Sequence, residues 1–137
     1  MDKYLTPKGF LQFGGAILLV LGIVGYLTQI LFPPQGKFIG DVLYLDNFEN
    51  IAHTVLGIVA LAAAYVLSAD LQKWLVALVG AFGVVVAVFG VLNLSAPPPN
   101  MGVTNLELID DVIHLVVGAW GLYAAFAGPK MMATAKM

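Results

Sequence analysis

Four long apolar stretches, separated by short polar ones, dominate the chain. No charged residue falls between Lys8 and Lys37, Glu49 and Asp70, Lys73 and Glu107, or Asp111 and Lys130. A membrane-crossing helix needs about 20 mostly apolar residues, with a range of roughly 17–25. Each window therefore predicts one helix. The third is too short for two helices and a turn, and Pro97-Pro98-Pro99 ends it. The predicted spans are 10–32, 51–69, 74–94 and 109–127. Ser68-Ala69-Asp70 marks a tight turn between the second and third, and Gly128-Pro129 stops the fourth. The predicted fold class is all-α, an integral membrane four-helix bundle forming a single transmembrane domain over residues 1–137.

Composition agrees with this pattern. The 137 residues are 61% apolar and 10% charged, against about 25% charged in ordinary soluble domains. A chain this short cannot enclose so much apolar surface in one aqueous core, so the lipid bilayer is its first partner. Cysteine is absent, which excludes disulfides, thiolate catalysis, iron–sulfur clusters and cysteine zinc sites. No arginine and no basic run occur, so a nucleic-acid footprint is lacking. The first apolar run is longer than a signal h-region and leads into Pro33-Pro34, which predicts a retained first span.

Lysines sort by side. Lys3, Lys8, Lys73, Lys130 and Lys136 lie at one end of the predicted topology and only Lys37 at the other. The positive-inside rule places both termini in the cytoplasm and the protein in a bacterial-type inner membrane. Asp41, Asp46, Glu49, Glu107, Asp110 and Asp111 lie outside, with Asp2 and Asp70 inside. A solvated acidic outer rim is the simplest account of that asymmetry.

The two halves of the chain repeat, residues 10–69 against 74–127. Asn50-Ile-Ala-His53-Thr-Val-Leu-Gly57 aligns with Asp111-Val-Ile-His114-Leu-Val-Val-Gly118. The same offset sets Asp46 on Glu107, Glu49 on Asp110, Ala60 on Gly121 and Ala64 on Ala125. In the preceding spans Gly15-Ala16 falls on Gly80-Ala81, Gly25 on Gly90 and Pro33-Pro34 on Pro98-Pro99. Each half holds two spans, so the hairpins are parallel copies related by an axis along the membrane normal. The second and fourth helices occupy equivalent places, where they can face each other.

One constellation carries chemistry. At 100° per residue, Asp46, Glu49, Asn50, His53, Gly57, Ala60 and Ala64 share one stripe of the second helix. Glu107, Asp110, Asp111, His114, Gly118, Gly121 and Ala125 repeat it on the fourth. Small residues let helices approach closely in lipid, which assigns Gly57, Ala60, Gly118 and Gly121 to helix packing. Ionisable groups within a span turn inward.

Four readings are open. In the first, Asn50 and Asp111 cap their helices and His53 and His114 bond nearby groups, giving a structural polar clasp without chemistry. In the second, a metal ion, haem or chlorin is held by His53 and His114 with help from Glu49, Asp110 and Asp111, a carboxylate three residues before a histidine being a bundle-metal spacing. The third is a proton or cation conduit, against which stand inner halves without ionisable residues. The fourth is a subunit that assembles with itself or another membrane protein through Trp120 and outward glycines at Gly22, Gly25, Gly83 and Gly90.

Other signals are slight. Gly22–Gly25 and Gly80–Gly83 have Gly-x-x-Gly spacing without a preceding strand, and Ser68 and Ser95 have no nearby His–acid pair. Trp74, Tyr65 and Tyr44 read as interfacial anchors, and Met131-Met132 is too little for a copper site.

The stretches Asp46-Asn47-Phe48-Glu49-Asn50-Ile51-Ala52-His53-Thr54-Val55-Leu56-Gly57 and Asp110-Asp111-Val112-Ile113-His114-Leu115-Val116-Val117-Gly118 resemble small bacterial four-helix membrane proteins grouped as domain of unknown function 4383. Those are similar in carrying Asn-x-x-His before small helix positions, once per hairpin. The resemblance covers nearly the whole chain and implies the topology and the weight of the two histidine segments, with no reaction attached. Asp111 departs from the pattern where an asparagine is expected. The expectation is a non-enzymatic membrane protein, structural or partner-binding, pinned by two polar clasps.

Overall fold

The computed structural model describes residues 2–31, 37–39 and 43–128. Pro33-Pro34, Asp41, Pro129, Lys130, Met131-Met132 and Lys136 lie outside the described residues.

The chain starts with a 3-10 turn, Asp2–Leu5, and continues as α1, Pro7–Leu31. Thr6 opens α1, its hydroxyl accepting from Gly9 N at 3.0 Å. Two short antiparallel strands follow, β1 (Lys37–Ile39) and β2 (Leu43–Tyr44), with Lys37 opposite Tyr44. The sequence pattern does not announce them. Then come α2 (Asn47–Val66), α3 (Ala69–Asn93) and α4 (Leu108–Phe126). The four α-helices among the described residues are each long and apolar enough to cross a membrane, and the chain is a small multi-pass membrane protein with helical spans.

The boundaries shift for local reasons. α2 begins at Asn47, not at residue 51, because Asp46 is an N-cap whose side chain accepts from Glu49 N. The link between α2 and α3 is only Leu67-Ser68. Leu67 N donates to Ala63 O to close α2, and Ser68 Oγ accepts from Leu71 N to open α3 at Ala69. The first turn of α3 therefore holds the polar residues Asp70, Gln72 and Lys73 that the apolar window left out.

Packing is organised by hairpin. α1 lies along α2 and α3 along α4, while α1 joins the hairpins by meeting α3 and α4. The buried apolar cluster uses two residues from each helix: Phe10 and Leu11, Ala63 and Ala64, Val76 and Ala77, Ala124 and Ala125. Its small side chains allow close approach, the usual basis of helix association where lipid is as apolar as the protein. Large apolar residues such as Ile30, Val66, Leu78 and Leu92 stay exposed and face the hydrocarbon.

The two ends differ in charge. At one, Lys8 lies over the Tyr65 ring at 5.7 Å and Lys73 over Phe126 at 5.5 Å, so helix starts meet helix ends. At the other are the N-termini of α2 and α4, with Asp46, Glu49, Glu107, Asp110 and Asp111.

Candidate functional site

The site is the acidic end. At the start of α2 a full capping box forms: Glu49 N donates to Asp46 Oδ1 and Asp46 N donates to Glu49 Oε2, both at 2.9 Å. A helix N-terminus leaves four backbone N–H groups without helical partners, and carboxylates there satisfy donors and complement the dipole. At α4 the return bond recurs, Glu107 N to Asp110 Oδ2 at 3.0 Å. The Glu107 side chain instead accepts from Asn105 Nδ2 at 3.2 Å. The caps are thus Asp46 and Glu107, a correction to their assignment at Asn50 and Asp111. The Asp-x-x-Glu and Glu-x-x-Asp spacings were the available signal.

Asn50 and Asp111 lie one turn further in, wholly buried at 0% and 1% exposure. Each is pressed on a glycine of its hairpin neighbour. A Cβ at Gly25 of α1 would run into the Asn50 carboxamide, and one at Gly90 of α3 into the Asp111 carboxylate. None of the four terminal side-chain atoms has a hydrogen-bond partner among the described residues.

The histidines are half-buried. His114 Nδ1 donates to Asp110 O at 2.7 Å, which fixes the proton on Nδ1. His53 Nδ1 is buried with no hydrogen-bond partner among the described residues. Neither ring is held by the residue three positions before it. His53 and His114 lie within electrostatic reach of each other, and Glu49 within reach of Glu107 and Asp110. Thr104, in the α3–α4 connection, adds a direct tie: its hydroxyl donates to Asp46 Oδ2 at 2.7 Å. Among the described residues no group of three or more His, Asp or Glu is arranged to hold a metal ion.

The stripe below these groups is the hairpin seam. A Cβ at Gly57 would stand 2.6 Å from Leu19 N and 2.9 Å from Gly15 O. In the second hairpin one at Gly118 would stand 2.8 Å from both Gly80 O and Val84 N. Ala60 meets Gly15, and Gly121 meets Gly80 and the Phe10 ring. Gly22, Gly25, Gly83 and Gly90 also point into their own hairpins, against Thr54, Asn50, His114 O and Asp111. They are not outward surfaces, a correction to that expectation. Trp120 is likewise engaged, its ring edge-on to Phe10 at 4.5 Å and its N–H donating to Tyr4 O at 2.9 Å.

Sequence reasoning passed over several polar residues. Gln72 is buried, and its Nε2 donates to Ala64 O at 3.1 Å and Leu67 O at 3.0 Å, closing the α2 C-terminus from α3. Asn100 braces the α3–α4 connection through both backbone groups of Leu106. A lone amide in a turn offers no spacing to detect.

The family model described as Domain of unknown function (DUF4383) matches residues 10–127. No curated protein and no solved structure matches the chain.

Proposed function

The chain belongs to the DUF4383 family, and we propose that it acts as a structural or partner-binding membrane protein, without catalysis of its own. The observation that carries this reading is where the ionisable side chains are used. Asp46, Glu49 and Asp110 bond helix N-termini, Thr104 ties Asp46 across the hairpins, and His114 bonds its own helix. The Thr104–Asp46 bond crosses between the two glycine-seamed hairpins and makes the polar end a clasp, while the others set the helix starts it joins. Either a second copy or another membrane protein fits the exposed apolar flanks as a partner.

Stability of the protein in lipid nanodiscs tests the clasp. Asp46→Ala removes a cap and the Thr104 bond together, and a loss of about 1–2 kcal/mol is expected. The clasp is rejected by an unfolding midpoint equal to that of the unaltered protein.

We place the protein in a bacterial-type inner membrane with the lysine end, and so both termini, in the cytoplasm. The absence of native cysteine makes single-cysteine labelling direct. An impermeant maleimide should label exposed Val103→Cys in intact cells and spare Asp70→Cys. The reverse pattern overturns the orientation.

A second reading, a metal ion or haem between His53 and His114, is favoured by the buried Nδ1 of His53, which has no hydrogen-bond partner among the described residues. His114 Nε2 and a nitrogen of His53 would be its ligands. The absorption spectrum and elemental content of the purified protein decide it: a colourless, metal-free, folded protein removes this reading.

A further inference from the structure

The repeat reaches the lysine end. The offset that sets Gly15 on Gly80 also sets Lys8 on Lys73, and the one that sets Ala64 on Ala125 sets Tyr65 on Phe126. Each hairpin thus places a lysine from its first helix beside an aromatic ring from the end of its second, Lys8 over Tyr65 at 5.7 Å and Lys73 over Phe126 at 5.5 Å. The surroundings of the two pairs differ. Lys73 is half-buried, with the Trp74 ring also at 5.5 Å, and the residue one turn further in is the buried Ala77. Lys8 is exposed, and its ring is the exposed phenol of Tyr65. One turn further in, on the same face of α1, stands the half-buried Gln12.

Lys8, Gln12 and Tyr65 all bear hydrogen-bond donors, and none of the three has an oxygen acceptor among the described residues. An amide inside a span without a partner is costly. α1 has 25 residues, about 38 Å at 1.5 Å each, against a hydrocarbon core of about 30 Å. Its first turns therefore lie in the headgroup layer, which is about 5–8 Å deep on each side. Lys8 and Gln12, about 6 Å apart along the axis, span that layer.

We propose that the α1–α2 flank at this end holds one anionic phospholipid. Its phosphate accepts from the Lys8 ammonium and the Tyr65 hydroxyl, and a glycerol ester carbonyl accepts from the Gln12 amide. The phosphate charge matches an ammonium that no carboxylate neutralises among the described residues, and charge-assisted bonds are the strong ones. A zwitterionic lipid brings the same phosphate with a cation of its own, which Lys8 repels. The exposed Ile23 and Ile58 continue the flank along α1 and α2 and receive the acyl chains.

The test is native mass spectrometry of the full chain, released from micelles that carry equal amounts of phosphatidylglycerol and phosphatidylcholine with the same acyl chains. One phosphatidylglycerol should be retained per chain, with about a fivefold preference or more over phosphatidylcholine, the effect of one lysine on an anionic headgroup. Lys8→Gln should abolish the preference, and Lys73→Gln, at the equivalent place in the repeat, should keep it. Gln12→Leu should weaken retention of both lipids severalfold, since both carry the ester. Equal retention of the two lipids by the unaltered protein overturns the proposal, and this comparison stands even if Lys8→Gln fails to fold. Equal loss of preference in Lys8→Gln and Lys73→Gln also overturns it, as a general attraction to the basic end, and so does unchanged retention by Gln12→Leu. The clasp lies at the opposite end and stands or falls separately, on the stability of Asp46→Ala.

Discussion

Gly57→Ala is the sharpest probe of how the hairpins hold together. The added Cβ would stand 2.6 Å from Leu19 N and 2.9 Å from Gly15 O, both backbone atoms of α1. Ordinary contact begins at 3.4 Å, and backbone cannot swing aside as a side chain can. The two helices must therefore part by roughly 1 Å at this level, a gap that forfeits about a quarter to a half of each contact worth about 0.1–0.2 kcal/mol. Over roughly 20–30 atom pairs along the seam, that amounts to about 0.5–3 kcal/mol, in the range of measured overpacking costs of about 1–3 kcal/mol. The alanine regains up to about 1 kcal/mol of helix propensity, a gain that any exposed-side Gly→Ala in the same spans shares, so the overpacking cost of about 1–3 kcal/mol is read against a matched control. Gly14→Ala is the matched control: its Cβ would meet nothing nearer than Trp120 at 3.9 Å, so only the propensity gain remains. Denaturant unfolding in mixed micelles, followed by circular dichroism, compares the two. The seam argument is refuted if Gly57→Ala is as stable as Gly14→Ala.

Three further outcomes follow from individual contacts. Gln72→Leu leaves the Ala64 and Leu67 carbonyls without their side-chain donor and should cost about 1–3 kcal/mol, with faster hydrogen exchange at the end of α2; unchanged exchange there would count against it. Trp120→Phe retains a ring against Phe10 but loses the bond to Tyr4 O, so exchange should rise at residues 2–5 and stay unchanged in α2. A double-mutant cycle of Asp46→Ala and Thr104→Val should return a coupling of at least about 0.5 kcal/mol, because the hydroxyl and carboxylate bond directly at 2.7 Å; additive losses would mean that the connection is not tied to the cap.

Much of this protein is legible in one dimension. Bilayer thickness sets a length that an unbroken apolar run must meet, and the four windows between charged residues each meet it. The repeat is legible too, because Asn50-x-x-His53 and Asp111-x-x-His114 precede equally spaced glycines. Helix ends are less so: the box at Asp46 and Glu49 is written in the sequence, but Asn50 competes with it as a cap until the backbone shows which residue stands outside the helix.

Partner choice is decided only in three dimensions. Glycines and alanines line all four helices, and a small residue looks the same in sequence whether it faces its own hairpin, the other hairpin or lipid. The fold sets Gly57 on Gly15 and Gly118 on Gly80, pairing each helix with its neighbour in the chain. The same tertiary choice buries Asn50 and Asp111 against Gly25 and Gly90. Hydrophobicity along a chain specifies which segments enter the membrane. It carries no information on which faces meet, since in lipid that depends on the fit of two surfaces and not on the transfer of either one.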